Sequence, residues 1–309
     1  MITVVGGAGR VGVTTGVLLL LKDIDDVVLM DIIPDKPQGE ALDIGHMLSA
    51  LGISRKVKGT LDYKDMEGSD IVIVTAGFPR KAGQTREDLL AVNAKVVSDV
   101  ADNIKKYAPD AKVLITTNPL DAMLYVLYKK LGFPRNRVIG FSGLLDAPRL
   151  SYYASQILNI SPASIQPMVL GMHGEHMFPV PRLSTVGGIP LTQFLTKEQI
   201  DEVVKKTVGA GAEVIKLRGY SSNWAPAAGL SIMVEAIKKD QKKAIIVSTV
   251  LQGEYGLNDV VAEVPVLLGK NGIEKVLEVP LNDEERKGFM KSIDAVRDLI
   301  NALPPEYKK

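Results

Sequence analysis

The chain carries three histidines, His46, His173 and His176, and two of them share one short segment, Gly171-Met172-His173-Gly174-Glu175-His176. A histidine on a tight loop at a strand end can move a proton near neutral pH, since its unperturbed pKa is about 6.5. The same residue can equally be an idle loop histidine. Asp146-Ala147-Pro148-Arg149 opens a helical segment. An aspartate there is either a helix cap or the carboxylate that fixes a histidine tautomer and raises its pKa. Arg149 reads as a surface charge or as a forked receptor for a substrate carboxylate. Asn118 closes an apolar run just before Pro119, where it can donate to a substrate oxygen or cap the next helix. The stretch FPRKAGQTR (78–86) sets Arg80 and Arg86 on either side of Gly83, two fixed positive charges around a hinge. His173, Glu175 and His176 are possible metal ligands. They lack the i, i+4 register of a helical HExxH site, and no cysteine completes a tetrahedral one, so no metal is expected.

A second kind of chemistry belongs to Gly7-Ala8-Gly9-Arg10-Val11-Gly12, a GxGxxG between a β-branched run and a helical one. Glycines let the backbone turn tightly and approach a pyrophosphate, whose charge a helix N-terminus favours. Asp31 ends the next apolar run, where an acid accepts hydrogen bonds from an adenosine ribose diol and repels a 2′-phosphate. Order and context predict a dinucleotide, NAD rather than NADP. A glycine-rich turn with a surface aspartate is the plain alternative.

These residues need a frame. Apolar runs at 2–5, 27–30, 71–75, 113–117 and 138–141 alternate with helical patterns at 11–21, 37–51, 86–107 and 122–131. Uninterrupted apolar strands alternating with helices indicate a parallel sheet covered on both faces. Thr85 and Asp88 are spaced as a capping pair for the third of these helices. After residue 143 the pattern changes to long helices at 146–158, 197–217, 225–239 and 283–303, with strands at 165–170, 245–251 and 264–267. The expected fold class is α/β: a Rossmann-type doubly wound parallel sheet over residues 1–142, then an α+β substrate and catalytic domain over 143–309. No low-complexity linker joins them, so the contact between them should be large and fixed.

The bulk numbers narrow the function. A chain of 309 residues is long enough for two cores. A net charge of +1 gives no general attraction to nucleic acid or an acidic membrane, so any anion site is local. With no cysteines, thiolate catalysis and iron–sulfur clusters are excluded. The apolar run 17–21 is far short of the roughly 20 residues of a membrane span. No basic segment with an apolar run and cleavage site opens the sequence, and the cytoplasm is the expected location.

The assembled motifs resemble the malate dehydrogenases of the lactate-dehydrogenase-like type, over essentially the whole length. The resemblance rests on the glycine turn and on VTAGFPRKAGQTRED (74–88), TTNPLDAM (116–123), GFPRNRVIG (132–140), LLDAPR (144–149), LGMHGEH (170–176) and VPVLLGKNGIEK (264–275). It implies NAD as cofactor and reversible hydride transfer between (S)-malate and oxaloacetate. His173 matches the general acid/base and Asp146 its carboxylate partner. Arg149 matches the arginine that grips the carboxylate beside the reacting carbon. Arg86 matches the one that polarises the carbonyl, and Asn118 the asparagine near that oxygen. Arg80 stands where the lactate enzymes carry an uncharged residue, so it would meet the second carboxylate. Thr75, Ala76, Gly77, Asn93, Thr116 and Asn118 match cofactor contacts, and the Asn118–Pro119 bond is expected to be cis. The resemblance also implies a homo-oligomer, a homotetramer rather than a dimer, working in the tricarboxylic acid cycle. Trp224 followed by Ala225-Pro226, with Ser222 nearby, mixes lactate-type and malate-type features. A lactate or broad 2-hydroxy-acid dehydrogenase therefore stays open as an alternative. A non-catalytic NAD-sensing protein on the same scaffold is a remoter one.

Overall fold

Strands without a polar face must be covered on both sides, and the first half of the chain supplies four-residue strands of that kind. The computed structural model describes residues 1–78 and 86–308, with the side chains of 86–88 outside the description. The first half contains β1 (Ile2–Val5), β2 (Val27–Met30), β3 (Val57–Thr60), β4 (Ile71–Val74), β5 (Lys112–Ile115) and β6 (Val138–Gly140). Their order across the sheet is β3-β2-β1-β4-β5-β6, all parallel. The helices α1 (Arg10–Leu21), α2 (Lys36–Leu51), α3 (Arg86–Tyr107) and α4 (Leu120–Leu131) make the crossovers. Every residue of β1, β2 and β4 is buried. The edge strand β3 was not anticipated. Its sequence, Val-Lys-Gly-Thr, alternates without an apolar run and leaves its second residue exposed.

The second half opens with α5 (Gly143–Leu158). It continues through β7 (Ile165–Gln166), β8 (Val169–Gly171), β9 (Met177–Pro179), β10 (Thr185–Val186), β11 (Ile189–Pro190) and the helices α6 (Lys197–Arg218) and α7 (Trp224–Lys238). The long hairpin of β12 (Lys243–Gln252) and β13 (Asn258–Gly269) follows, then β14 (Gly272–Val276) and α8 (Asp283–Asn301). The single strand expected at 165–170 is two strands in two sheets: β7 pairs β10, whereas β8 pairs β13 and β9. Pro167 lies between them without an N–H to continue either ladder.

The parallel sheet does not end at β6. Gly140 pairs antiparallel with Ser248 of β12, and the order runs on through β13, β8 and β9. One hydrophobic cluster accordingly takes in Val4, Ile73 and Leu114 from the first half and Val247, Val264 and Ile293 from the second. A smaller cluster of Leu150, Val169, Leu191 and Val203 lies wholly in the second half. Among the described residues no helix is long and apolar enough to cross a membrane.

Candidate active site

Three chain reversals meet beside the sheet. β6 leads directly into α5, β5 leads through Asn118–Pro119 into α4, and β8 ends at Gly171. Gly171 has φ +92°, and a Cβ there would lie 2.7 Å from the Ser292 Cβ on α8. Ser292 clamps the following loop. Its hydroxyl accepts from the Met172 N–H at 2.8 Å and donates to the His176 carbonyl at 2.5 Å. His173 is thereby held against the first turns of α4 and α5. Its own N–H donates to Asp121 Oδ2 on α4 at 3.1 Å.

The imidazole Nδ1 lies 2.6 Å from Asp146 Oδ2, and Arg149 Nη1 donates to the other Asp146 oxygen at 2.9 Å. Asp146 is fully buried and does not cap its helix; Ser142 holds the N-cap position. The two readings left open for Asp146 are thus separated by burial: a solvated cap would not be driven inside. His173 keeps 14% of its side chain accessible and Arg149 16%, enough for a small ligand to reach them. Burial by itself lowers the His173 pKa. The Asp146 carboxylate, by charge and by hydrogen bond, outweighs that, and Asp121 adds to it, so the imidazole ends above its ordinary value. Burial pushes the Asp121 carboxyl up to about 7, against the lowering effect of His173.

The dinucleotide residues form the adjoining edge. β1 ends at the glycine turn, where the Gly7 N–H donates to the Met30 carbonyl at 2.8 Å and α1 begins at Arg10 with no side chain capping it. A Cβ on Gly12 would strike the Gly6 carbonyl oxygen and sit 2.8 Å from the Gly7 Cα, so the close approach of helix to turn requires glycine. Asp31 Oδ2 accepts from the Ala8 N–H at 3.0 Å and Oδ1 from the Ile32 N–H at 2.8 Å. Oδ1 accepts a second, longer bond from the Ile33 N–H at 3.4 Å, so Oδ2 is the oxygen that retains a lone pair for a diol. An uncapped helix start, a cradle that a methyl group would fill and a fixed acid at the second strand together fit the pyrophosphate and adenosine ribose of NAD. Arg10 stacks 3.8 Å above the Tyr220 ring. Asn223 Nδ2 donates to Thr14 on α1 at 3.1 Å, so the start of α7 is tied to the same helix.

Thr75 donates to the Val5 and Gly6 carbonyls at 3.0 and 3.1 Å, joining its strand end to the glycine turn. Ala76 accepts from the Thr117 hydroxyl at 2.7 Å, and Gly77 follows it; Thr116 is half-buried beside them. Buried Asn93 accepts from the Phe78 N–H at 2.8 Å and donates to the Phe78 and Asn118 carbonyls at 3.1 and 2.7 Å. It braces the two loops of this edge. Asn118 is exposed, and its bond to Pro119 is cis. Arg80, Gly83 and Thr85 lie outside the described residues, as do the side chains of Asp88 and of Arg86, whose backbone begins α3.

Two acids at the site escaped the sequence reading, Asp121 and Glu263. Asp121 falls within the quoted TTNPLDAM, and Glu263 is the lone charge in the apolar run VVAEVPVLL (260–268). That isolation is the signal that marks it. Among the described residues the group of side chains able to converge on a metal is Asp146, His173 and Glu263, whose ligand atoms lie within 4.8 Å of one another. It is not the His173, Glu175 and His176 set that the sequence offered.

Comparison with known proteins agrees with this geometry. Residues 1–140 match the lactate/malate dehydrogenase NAD binding domain, and residues 144–304 match the lactate/malate dehydrogenase alpha/beta C-terminal domain. The malate dehydrogenase of Caldivirga maquilingensis is 60% identical over the full length of both chains. The solved malate dehydrogenase of Aeropyrum pernix superposes with a TM-score of 0.97 at 55% identity, covering all of both chains. A Cryptosporidium parvum lactate dehydrogenase solved with lactic acid and nicotinamide adenine dinucleotide superposes at 0.93 with 38% identity, covering 97% of this chain and 96% of that one. With a histidine–carboxylate–arginine cluster beside a dinucleotide cradle, and with both halves matched, the chain belongs to the lactate/malate dehydrogenase family.

Proposed function

We propose that the chain interconverts (S)-malate and oxaloacetate with His173 as the general acid/base. It is an NAD-dependent oxidoreductase with malate dehydrogenase activity, acting on the CH–OH group of a 2-hydroxy acid. The observation that carries the assignment of His173 is its 2.6 Å contact with the fully buried Asp146. NAD, when bound, takes the hydride from malate or returns it to oxaloacetate. Gly7, Ala8, Gly9, Arg10, Val11, Gly12 and Asp31 would hold its pyrophosphate and adenosine. Thr75, Ala76, Gly77, Asn93, Thr116 and Asn118 would form the rest of the cleft.

In malate oxidation neutral His173 takes the hydroxyl proton. Its Nδ1 is committed to Asp146, so Nε2 is the working nitrogen. Asp146 then stabilises the imidazolium that forms. Arg149 spends one nitrogen on Asp146 and has further N–H groups for the carboxylate beside the reacting carbon. In the reverse direction protonated His173 delivers the proton to the carbonyl oxygen. Arg86 is read as stabilising the charge that grows on that oxygen, and Arg80 as pairing with the second carboxylate. A pyruvate methyl would leave Arg80 unpaired, which disfavours the lactate reading.

We read the protein as a cytoplasmic homo-oligomer, a tetramer rather than a dimer, serving the tricarboxylic acid cycle. Leu42 and Leu51 on α2, 64% and 57% exposed, support the assembly by offering apolar surface for a second subunit to cover.

His173→Asn should keep NADH binding and lose about 10²–10⁴-fold in kcat, the usual worth of a positioned proton carrier. A fall of less than about tenfold sinks the assignment of His173. In the unmodified enzyme kcat/KM should favour oxaloacetate over pyruvate; the opposite preference would overturn the specificity.

A further inference from the structure

Glu263 is the unexplained residue of the site. It lies mid-strand in β13, paired with Ser248 of β12 on one side and Gly171 of β8 on the other. Its side chain is fully buried. Neither of its carboxyl oxygens makes a well-formed hydrogen bond among the described residues, although the Ser142 hydroxyl, which accepts from Ser248 at 2.8 Å, lies beside it. Yet one of them lies within 4.8 Å of both the His173 ring and the Asp146 carboxylate. The groups facing it are Asp146 on α5, Ser142 at the N-cap of α5, Asp121 on α4 and His173 after β8, with Arg149 already engaged by Asp146.

An ionised Glu263 would be a third carboxylate in a dry pocket, with the Ser142 hydroxyl as a donor beside it and no cation of its own. Burying an unpaired charge costs several kcal/mol, which a side chain avoids by keeping its proton. We infer that Glu263 is a positioning residue for the reaction: a neutral carboxylic acid that turns its O–H to Asp146 and so limits how tightly Asp146 holds the proton on His173. The inference rests on His173 being the acid/base. Burial first, and then the Asp146 charge, push the Glu263 carboxyl well above the usual carboxylate range, consistent with a retained proton. The arrangement matters most in malate oxidation, which needs His173 neutral beside Asp146. A donor to Asp146 spreads the carboxylate's charge and lets the imidazole give up its proton at a lower pH.

The test compares Glu263→Gln and Glu263→Met in the full-length enzyme, through pH profiles of kcat/KM for malate with NAD. Gln keeps a neutral donor, and its acid limb should stay within about 0.3 pH unit of the parent. Met removes the donor. Its acid limb should rise by about 0.5–1 unit, so malate oxidation at pH ~6.5 falls about three- to tenfold. Oxaloacetate reduction, which uses protonated His173, should change little at that pH. The parent should also show the infrared carbonyl band of a protonated carboxylic acid at pH ~8, and the Gln variant should lack it. That band needs no catalysis and no foldable Met variant. A downward shift of about a unit or more in Glu263→Gln means the glutamate is ionised and overturns the proposal. A Met variant that only loses thermal stability, with its pH limb unmoved, reduces Glu263 to a structural role. Failure of His173→Asn to lose turnover sinks the underlying assignment instead, and the band would be unaffected.

Discussion

The 2.6 Å contact between His173 and Asp146 ties activity to pH in a definite direction. Burial pulls the imidazole down, Asp146 more than restores it, and the group ends above the ordinary histidine value of about 6.5. Malate oxidation needs the neutral ring, so kcat/KM should fall as pH drops through a midpoint above ~6.5. Stability linked to this group has the complementary sign: it is fully present below the unfolded value and is lost as pH rises through the folded one. Asp146→Asn removes the larger of the charges that oppose burial and leaves only Asp121 against it, so the midpoint should move down while kcat drops. Profiles of the two proteins decide the matter; coincident midpoints would mean that Asp146 does not set the His173 proton equilibrium. The sequence marked His173 as a candidate proton carrier because histidines are scarce here and this one follows an apolar strand, but its spacing left an idle loop histidine equally open. Spacing left Asp146 open too, and only the resemblance favoured the partner, since a carboxylate three residues before an arginine at a helix start looks the same whether it is a solvated cap or a buried partner.

Apart from β3, the helices and strands of the first half are legible to within about two residues, because β1, β2 and β4 are charge-free runs that only a doubly covered sheet can use. Where composition is ambiguous the reading failed. β3, Val-Lys-Gly-Thr at a sheet edge, offers no apolar run, and Pro167 divides one expected strand between two sheets. β13 runs from Asn258, well before the expected start at 264, and so carries Glu263 into the interior. The link from β1 through the glycine turn to α1 makes its own prediction. Gly12→Ala would place a methyl against the Gly6 carbonyl and force helix and turn apart. NADH affinity, measured by fluorescence titration, should fall at least about tenfold, beyond the roughly 1–3 kcal/mol an overpacked site usually costs in stability. An unchanged Kd would show that the turn does not hold the dinucleotide.

At the scale of the whole molecule, the sheet crosses from β6 to β12 and one apolar cluster spans both halves. Unfolding should therefore be a single event although two family domains are matched. Far-ultraviolet circular dichroism reports both halves, and fluorescence of Trp224, at the start of α7, reports the second. The two melting curves should coincide; an earlier transition in either signal would show that the halves come apart independently. The chain's own pattern determined the alternation of buried strands with helices, the glycine turn with its distant acid, and the set of residue types able to move a proton or grip a carboxylate. These are local or periodic properties, set by side-chain polarity and backbone freedom over a few residues. Residue spacing left open which carboxylate His173 meets, and only the resemblance named Asp146; tertiary structure sets the two in contact across 27 positions, joins Asp121 and Glu263 to them, and leaves the last of these without a well-formed hydrogen bond. Those facts depend on which strand ends converge and on how completely water is excluded there. Exclusion of water is what turns an ordinary acid into one that keeps its proton.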